Sequence, residues 1–255
     1  WDVDMVNRFR QLVNDQEVDV NSTHVHTWTP LMMLCSNTSN HASGYVFNCI
    51  EALLQRPDIN VNHKDTGGEN ALMILFRCSD SSRIVLLTEM LIHHRIYLNQ
   101  TNDDGENALM YLCMHSKNED FVQVANILIN NGINVNEKKN DGNNALILLC
   151  KRSKNEEIVE MAQLLIDKGI KFNHMNDSGR NALMELCASS NSDRIVELAR
   201  LLISNGVHLN ATNQIGRNAL MLLCWWSRSV EMVQMAELLI DEGMDPDDRD
   251  LKNRN

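Results

Sequence analysis

The apolar residues of this chain fall in short clusters at helical spacing, separated by polar stretches, and residues 103–139 show the pattern in full. Asp103-Asp104-Gly105 is turn chemistry. Behind it Ala108, Leu109, Leu112 and Cys113 recur at helical intervals, which predicts a first helix. After the polar residues 116–120, a second apolar stripe of Val122, Ala125, Leu128 and Ile129 runs up to Gly132, a predicted left-handed C-cap. Residues 134–141 are polar and rich in Asn, Asp and Lys, which predicts a hairpin-like loop leading to the next turn at Gly142.

This pattern returns every 37 residues. Asn-Ala-Leu begins at Asn70, Asn107, Asn144, Asn181 and Asn218; the same period carries Cys113, Cys150, Cys187 and Cys224, with Phe76 in the earlier slot. It also carries Gly132, Gly169, Gly206 and Gly243, and Asn62, Asn99, Asn136, Asn173 and Asn210. A less regular copy opens with Thr29-Pro30-Leu31-Met32 and keeps Cys35, its extra length falling near residues 41–45. A helix pair cannot bury its apolar face alone, whereas stacked pairs share a core, so the expected fold is all-α, a helical-repeat solenoid with hairpin-like loops between repeats. Met5, Phe9, Leu12 and Val13 look like the second helix of a preceding unit, and Asn253-Arg254-Asn255 stands in register with Gly216-Arg217-Asn218. The expected organisation is a single array: a half-repeat or cap over 1–26, an irregular repeat over about 27–65, regular repeats over about 66–102, 103–139, 140–176, 177–213 and 214–250, and the start of a further unit at 251–255.

Asn213-Gln214-Ile215-Gly216-Arg217-Asn218-Ala219-Leu220-Met221 resembles the Asp-x-x-Gly-x-Thr-Pro-Leu-His stretch of ankyrin repeats, and Thr29-Pro30-Leu31 is closer still. The resemblance extends over nearly the whole chain. The unit departs from the family in length, 37 residues against about 33, and in carrying Asn-Ala where ankyrin repeats carry Thr-Pro. Met73, Met110, Met184 and Met221, with Ile147, stand at the family's His, turning a hydrogen-bonding position into a packing one. The resemblance implies a protein-interaction module whose inner, concave face is built from turn tips and first-helix ends. Carried onto this sequence, the expected partner-binding residues are Trp28, Glu69, Arg77, Asp104, Glu106, Met114, His115, Lys151, Arg152, Arg180, Arg217, Trp225 and Trp226.

Trp225 and Trp226, side by side in a chain with 5% aromatics, would form an aromatic-basic patch with Lys151, Arg152, Arg180 and Arg217. Trp and Arg dominate binding hot spots. The competing reading packs Trp226 under the inter-helix loop and pairs the arginines with neighbouring carboxylates. Glu69, Asp103, Asp104 and Glu106 would make the groove change sign along its length, or Asp103 and Asp104 would cap the first helices.

Net charge is −11, spread without a long acidic block, which argues against capture of duplex nucleic acid or anionic lipid. No apolar run approaches the roughly 20 residues of a membrane span, and the first residues carry no signal-peptide pattern. The 7 cysteines are odd in number and repeat-locked, which fits reduced thiols in cytoplasm or nucleus better than a secreted disulfide framework. One Cys per repeat places sulfurs on neighbouring helices, roughly 8–10 Å apart and too far to share a zinc ion at ~2.3 Å. Burial is expected for them, with Cys49 and Cys78, off the ladder, more accessible. The 9 histidines show no metal-binding spacing, and no phosphate-loop, nucleophile-elbow or paired-carboxylate signature occurs. Neither cofactor nor catalysis is expected. The expected function is binding of a protein or peptide, with a small phosphorylated ligand or nucleotide, and homo-oligomeric self-assembly, as alternatives.

Overall fold

The computed structural model describes residues 3–38, 43–79, 82–115, 119–152, 156–189, 194–226 and 231–252. Residues 41 and 42 in the extra length of the irregular repeat, residues 116–118 of the polar stretch, and Asn253-Arg254-Asn255 lie outside the described residues, as do the side chains of Met5, Arg152 and Trp226. The described residues contain thirteen α-helices and no strand.

The asparagine of each Asn-Ala-Leu triplet explains where the first helices start. The Oδ1 atoms of Asn70, Asn107, Asn144, Asn181 and Asn218 accept from the backbone N–H three residues on, at 3.0, 3.1, 3.0, 2.9 and 2.9 Å. Each is an N-cap that satisfies a donor the helix leaves open. Thr29 plays this part in the irregular copy, at 3.4 Å from Met32 N. Asp103 and Asp104, expected as alternative caps, sit too far upstream; Asn107 holds the capping place, and the Asp104 N–H donates instead to Asn102 Oδ1 at 3.1 Å.

The chain divides into two compact units, residues 1–133 and 134–255. The first holds α1 (Val3–Asn14), α2 (Pro30–Ser36), α3 (Ser43–Leu54), α4 (Ala71–Cys78), α5 (Ile84–His93), α6 (Ala108–His115) and α7 (Phe121–Asn130). Within it α4 packs on both α2 and α6, α5 on α7, and α3 on both α1 and α2. The second holds α8 (Ala145–Arg152), α9 (Ile158–Asp167), α10 (Ala182–Ser189), α11 (Ile195–Ser204), α12 (Ala219–Trp226) and α13 (Met232–Asp241). There α10 packs on α8 and α12, and α11 on α9 and α13.

α4, covered by α2, α6 and its own second helix α5, has no wet face, so residues 71–76 are buried without interruption, and residues 108–113 of α6 are buried in the same way. The second helices are amphipathic. α7 buries Phe121, Val124, Ala125 and Leu128, and α9 and α11 repeat that register. This corrects the expected stripe: Val122 and Ile129 are only half-buried, because the i, i+3, i+4, i+7 face is counted from Phe121, the first residue of the helix. Each fully buried large side chain contributes about 1.5–3 kcal/mol. In α1 it is Val6 and Val13 that are buried, while Leu12 is 59% exposed. The guanidinium of Arg56 donates to the carbonyls of Val13 and Asp15, at 2.7 Å each, closing the end of that helix.

Asparagines also tie one loop to the next. Asn62 donates to Arg95 O at 3.1 Å and accepts from Tyr97 N–H at 2.6 Å. Asn136 does the same with Gly169 O and Lys171 N–H, and Asn173 with Gly206 O and His208 N–H. Glycine is required at Gly142, where φ is +79° and a Cβ would lie 2.9 Å from Asp177 N. The second helices end on Asn-Gly in two copies: Asn131 and Asn205 Nδ2 each reach back 2.8 Å to a carbonyl of the last turn. Gly132 and Gly206 follow with positive φ, their N–H groups donating to Ile129 O and Ile203 O.

Cys35, Cys113, Cys150 and Cys187 are buried, and burial pushes the Cys35 thiol up to about 12. Cys49, expected to be accessible, is buried as well, because α3 is covered by α1 and α2 together. Cys78 is half-buried and Cys224 exposed.

Candidate interaction surface

In the first unit the turn tips and first-helix ends surround a concavity of about 610 Å³ lined by Trp28, Asp65, Glu69, Arg77, Asn102, Asp103, Asp104 and Tyr111, among others. Asx turns shape its rim: Asp65 Oδ1 accepts from Gly67 and Glu69 N–H, and Asn102 Oδ1 from Asp104 and Glu106 N–H. Trp28 Nε1 donates to Asp65 Oδ2 at 2.9 Å, fixing the indole at the edge. Glu69 is fully engaged: Arg77 pairs with one oxygen at 2.6 Å and the Tyr111 hydroxyl donates to the other. That hydroxyl accepts from Asn102 at 2.9 Å, and the same amide reaches Glu106 at 3.0 Å. Burial, and then the bond to the Glu69 carboxylate, push the Tyr111 phenol well above the ordinary tyrosine range. Asp104 stands exposed at the rim, Glu106 is buried behind it, and Met114 and His115 lie half-buried at the end of α6.

In the second unit each described cation of the expected basic patch meets a buried carboxylate. Glu185, 1% exposed, lies 3.6 Å from Arg180 and 4.0 Å from Lys151. Asn176 Nδ2 donates to the same carboxylate at 3.1 Å. Arg217, 8% exposed, lies 3.4 Å from Asp250 and stacks on the Trp225 ring with its guanidinium carbon 4.1 Å from the centroid. Trp225 itself is 54% exposed. Arg217, expected as a contact residue, thus lies between the Asp250 carboxylate and the Trp225 indole and braces the ring. Arg152 and Trp226 end α8 and α12, their side chains outside the described residues.

The residues missed by sequence reasoning are the internal partners Asp65, Tyr111, Glu185 and Asp250. A signal was present for two of them: Tyr111 and Glu185 stand in a column otherwise filled by Ile74, Leu148 and Leu222. Asp250 stands in register with Asn176 and Asn213, which shape the turns before it.

Among the described residues no group of three or more His, Cys, Asp or Glu is placed to hold a metal ion, and no helix is long and apolar enough to cross a membrane. No curated protein matches the chain. A family model of ankyrin repeats, three copies long, matches residues 75–176 and again residues 155–250. Ankyrin repeats are as a family protein–protein interaction modules and typically not enzymes. Matched over more than half its length and built of the capped helix pairs described above, the chain belongs to the ankyrin-repeat family.

Proposed function

We propose that the chain holds a protein partner, a peptide or a folded domain, on its turn tips and first-helix ends, with Trp225 as an anchor. The observation that carries this reading is the braced indole. Trp225 leaves more than half its surface open while Arg217 stacks beneath it and Asp250 fixes Arg217. An aromatic face held in place loses little entropy on binding, which is the property of a hot-spot residue. Trp28, tied to Asp65 at the rim of the first unit's concavity, is its counterpart there. The nucleotide alternative is not favoured, since Lys151, Arg180 and Arg217 already face Glu185 and Asp250. The thiol pattern supports a reducing compartment, cytoplasm or nucleus.

The test is affinity capture from source cells with wild type and Trp225→Ala side by side, followed by titration of each protein retained by the wild type. Truncation should weaken at least one partner by about 2 kcal/mol, roughly thirtyfold. Unchanged affinities for every retained protein, with the variant folded, would remove Trp225 from the interface.

A further inference from the structure

Arg95 stands where the later copies carry Gly132, Gly169, Gly206 and Gly243, just past the end of the second helix. It shares their left-handed backbone, with φ 62° against 90°, 83°, 83° and 99°. That conformation strains an ordinary L-residue, a strain that glycine escapes. An arginine kept there at such a cost points to a use for its side chain.

Arg95 borders an open concavity of about 770 Å³ in the first unit, whose walls include Lys64, Ile92, Tyr97, Leu98 and Asn131. Among the described residues no carboxylate lines it, on a chain of net charge −11. Tyr97 is 65% exposed. Among the described residues Lys64 Nζ reaches only the Thr101 carbonyl, at 3.5 Å, and the Arg95 guanidinium makes no hydrogen bond or ion pair. At the next junction the register places Thr101, Gly132 and Asn134 where Lys64, Arg95 and Tyr97 stand, so this set is particular to one place in the array.

We propose that this concavity is a second binding site, taking an acidic peptide segment of a partner whose carboxylates meet Arg95 and Lys64 and whose apolar side chain lies on Tyr97. An arginine fork matches a carboxylate in two directions, and lysine adds a second positive charge. The apolar walls formed by Ile92 and Leu98 exceed what a lone anion would use. The site does not depend on Trp225.

The test uses the 255-residue chain and a fluorescein-labelled octapeptide of alternating Glu and Leu, read by anisotropy beside the same peptide with Lys for Glu. Wild type is expected to bind the acidic peptide and not the basic one. Arg95→Gly should weaken binding at least tenfold while leaving Tm unchanged or higher, since glycine suits the backbone; Lys64→Glu should weaken it as much. The proposal is overturned by undetectable binding at millimolar peptide, by equal affinity for the basic peptide, or by unchanged affinity in Arg95→Gly. Complete displacement of the peptide by millimolar inorganic phosphate would make this a lone-anion site and overturn the peptide assignment.

Discussion

Replacing Asn181 with alanine separates the two jobs that one side chain performs at the head of α10. Its Oδ1 caps the helix by accepting from Met184 N–H at 2.9 Å, and its Nδ2 donates to His208 O, in the following loop, at 3.1 Å. The residue is 1% exposed, so water does not readily replace either bond. Loss of the cap costs about 1 kcal/mol, and loss of the Nδ2 bond, which leaves the His208 carbonyl only the Ala211 N–H at 3.3 Å, costs about 1–2 kcal/mol more. Asn181→Ala is therefore expected to lower stability by about 2–3 kcal/mol, or Tm by about 4–12 °C for a chain of this size. Asn181→Ser keeps a capping oxygen but is too short to reach His208, so it should recover about 1 kcal/mol of the loss. The assay is urea unfolding followed by helical circular dichroism, with m-values compared so that midpoint shifts can be read as stability. A loss under about 1 kcal/mol for alanine, or a serine variant no better than alanine, would refute the double role.

Three further substitutions probe other features. Gly169→Ala meets open space at a left-handed residue and should cost about 1 kcal/mol. Gly142→Ala would set a Cβ 2.6 Å from Asp177 Oδ1 and 2.9 Å from its backbone nitrogen, and should cost about 3 kcal/mol or more; equal urea midpoints for the pair would contradict the close approach of the turns. Tyr111→Phe deprives Glu69 and Asn102 of a buried partner and should cost about 1–2 kcal/mol at neutral pH. Folding raises the phenol's pKa, so its protonated form is favoured in the native state, and that contribution is complete below pH about 10 and lost as pH rises beyond it. Wild type should therefore lose stability more steeply than Tyr111→Phe in alkaline urea titrations; parallel curves would count against the buried phenol.

The helices were legible because packing repeats. A period of 37 residues in Asn-Ala-Leu, Cys and Gly exposed both helices of a unit and the turn between units. What stayed hidden was register within a helix and pairing between side chains. The apolar spacing alone points to Val122 as core in place of Val124, and only the helix's start at Phe121 sets the buried face. Cys49 read as accessible because no periodic position marks a helix covered on two sides. Trp225, Arg180 and Arg217 were visible as departures from the repeat, but a departure does not reveal whether a charge faces a partner molecule or a carboxylate such as Asp250, 33 residues along the chain.

The Asn-Gly ends of α7 and α11 bear on how the protein ages. Spontaneous deamidation is fastest at Asn-Gly, since the glycine nitrogen can swing round to attack the asparagine side-chain carbon and expel ammonia. Here Asn131 and Asn205 hold their amides against Ile127 O and Leu201 O, while the attacking nitrogens of Gly132 and Gly206 are held by Ile129 O and Ile203 O. Neither partner can rotate into position without opening the last helical turn. The native fold thus acts as a chemical preservative for these two side-chain amides, and each excursion to the unfolded state sets the clock running.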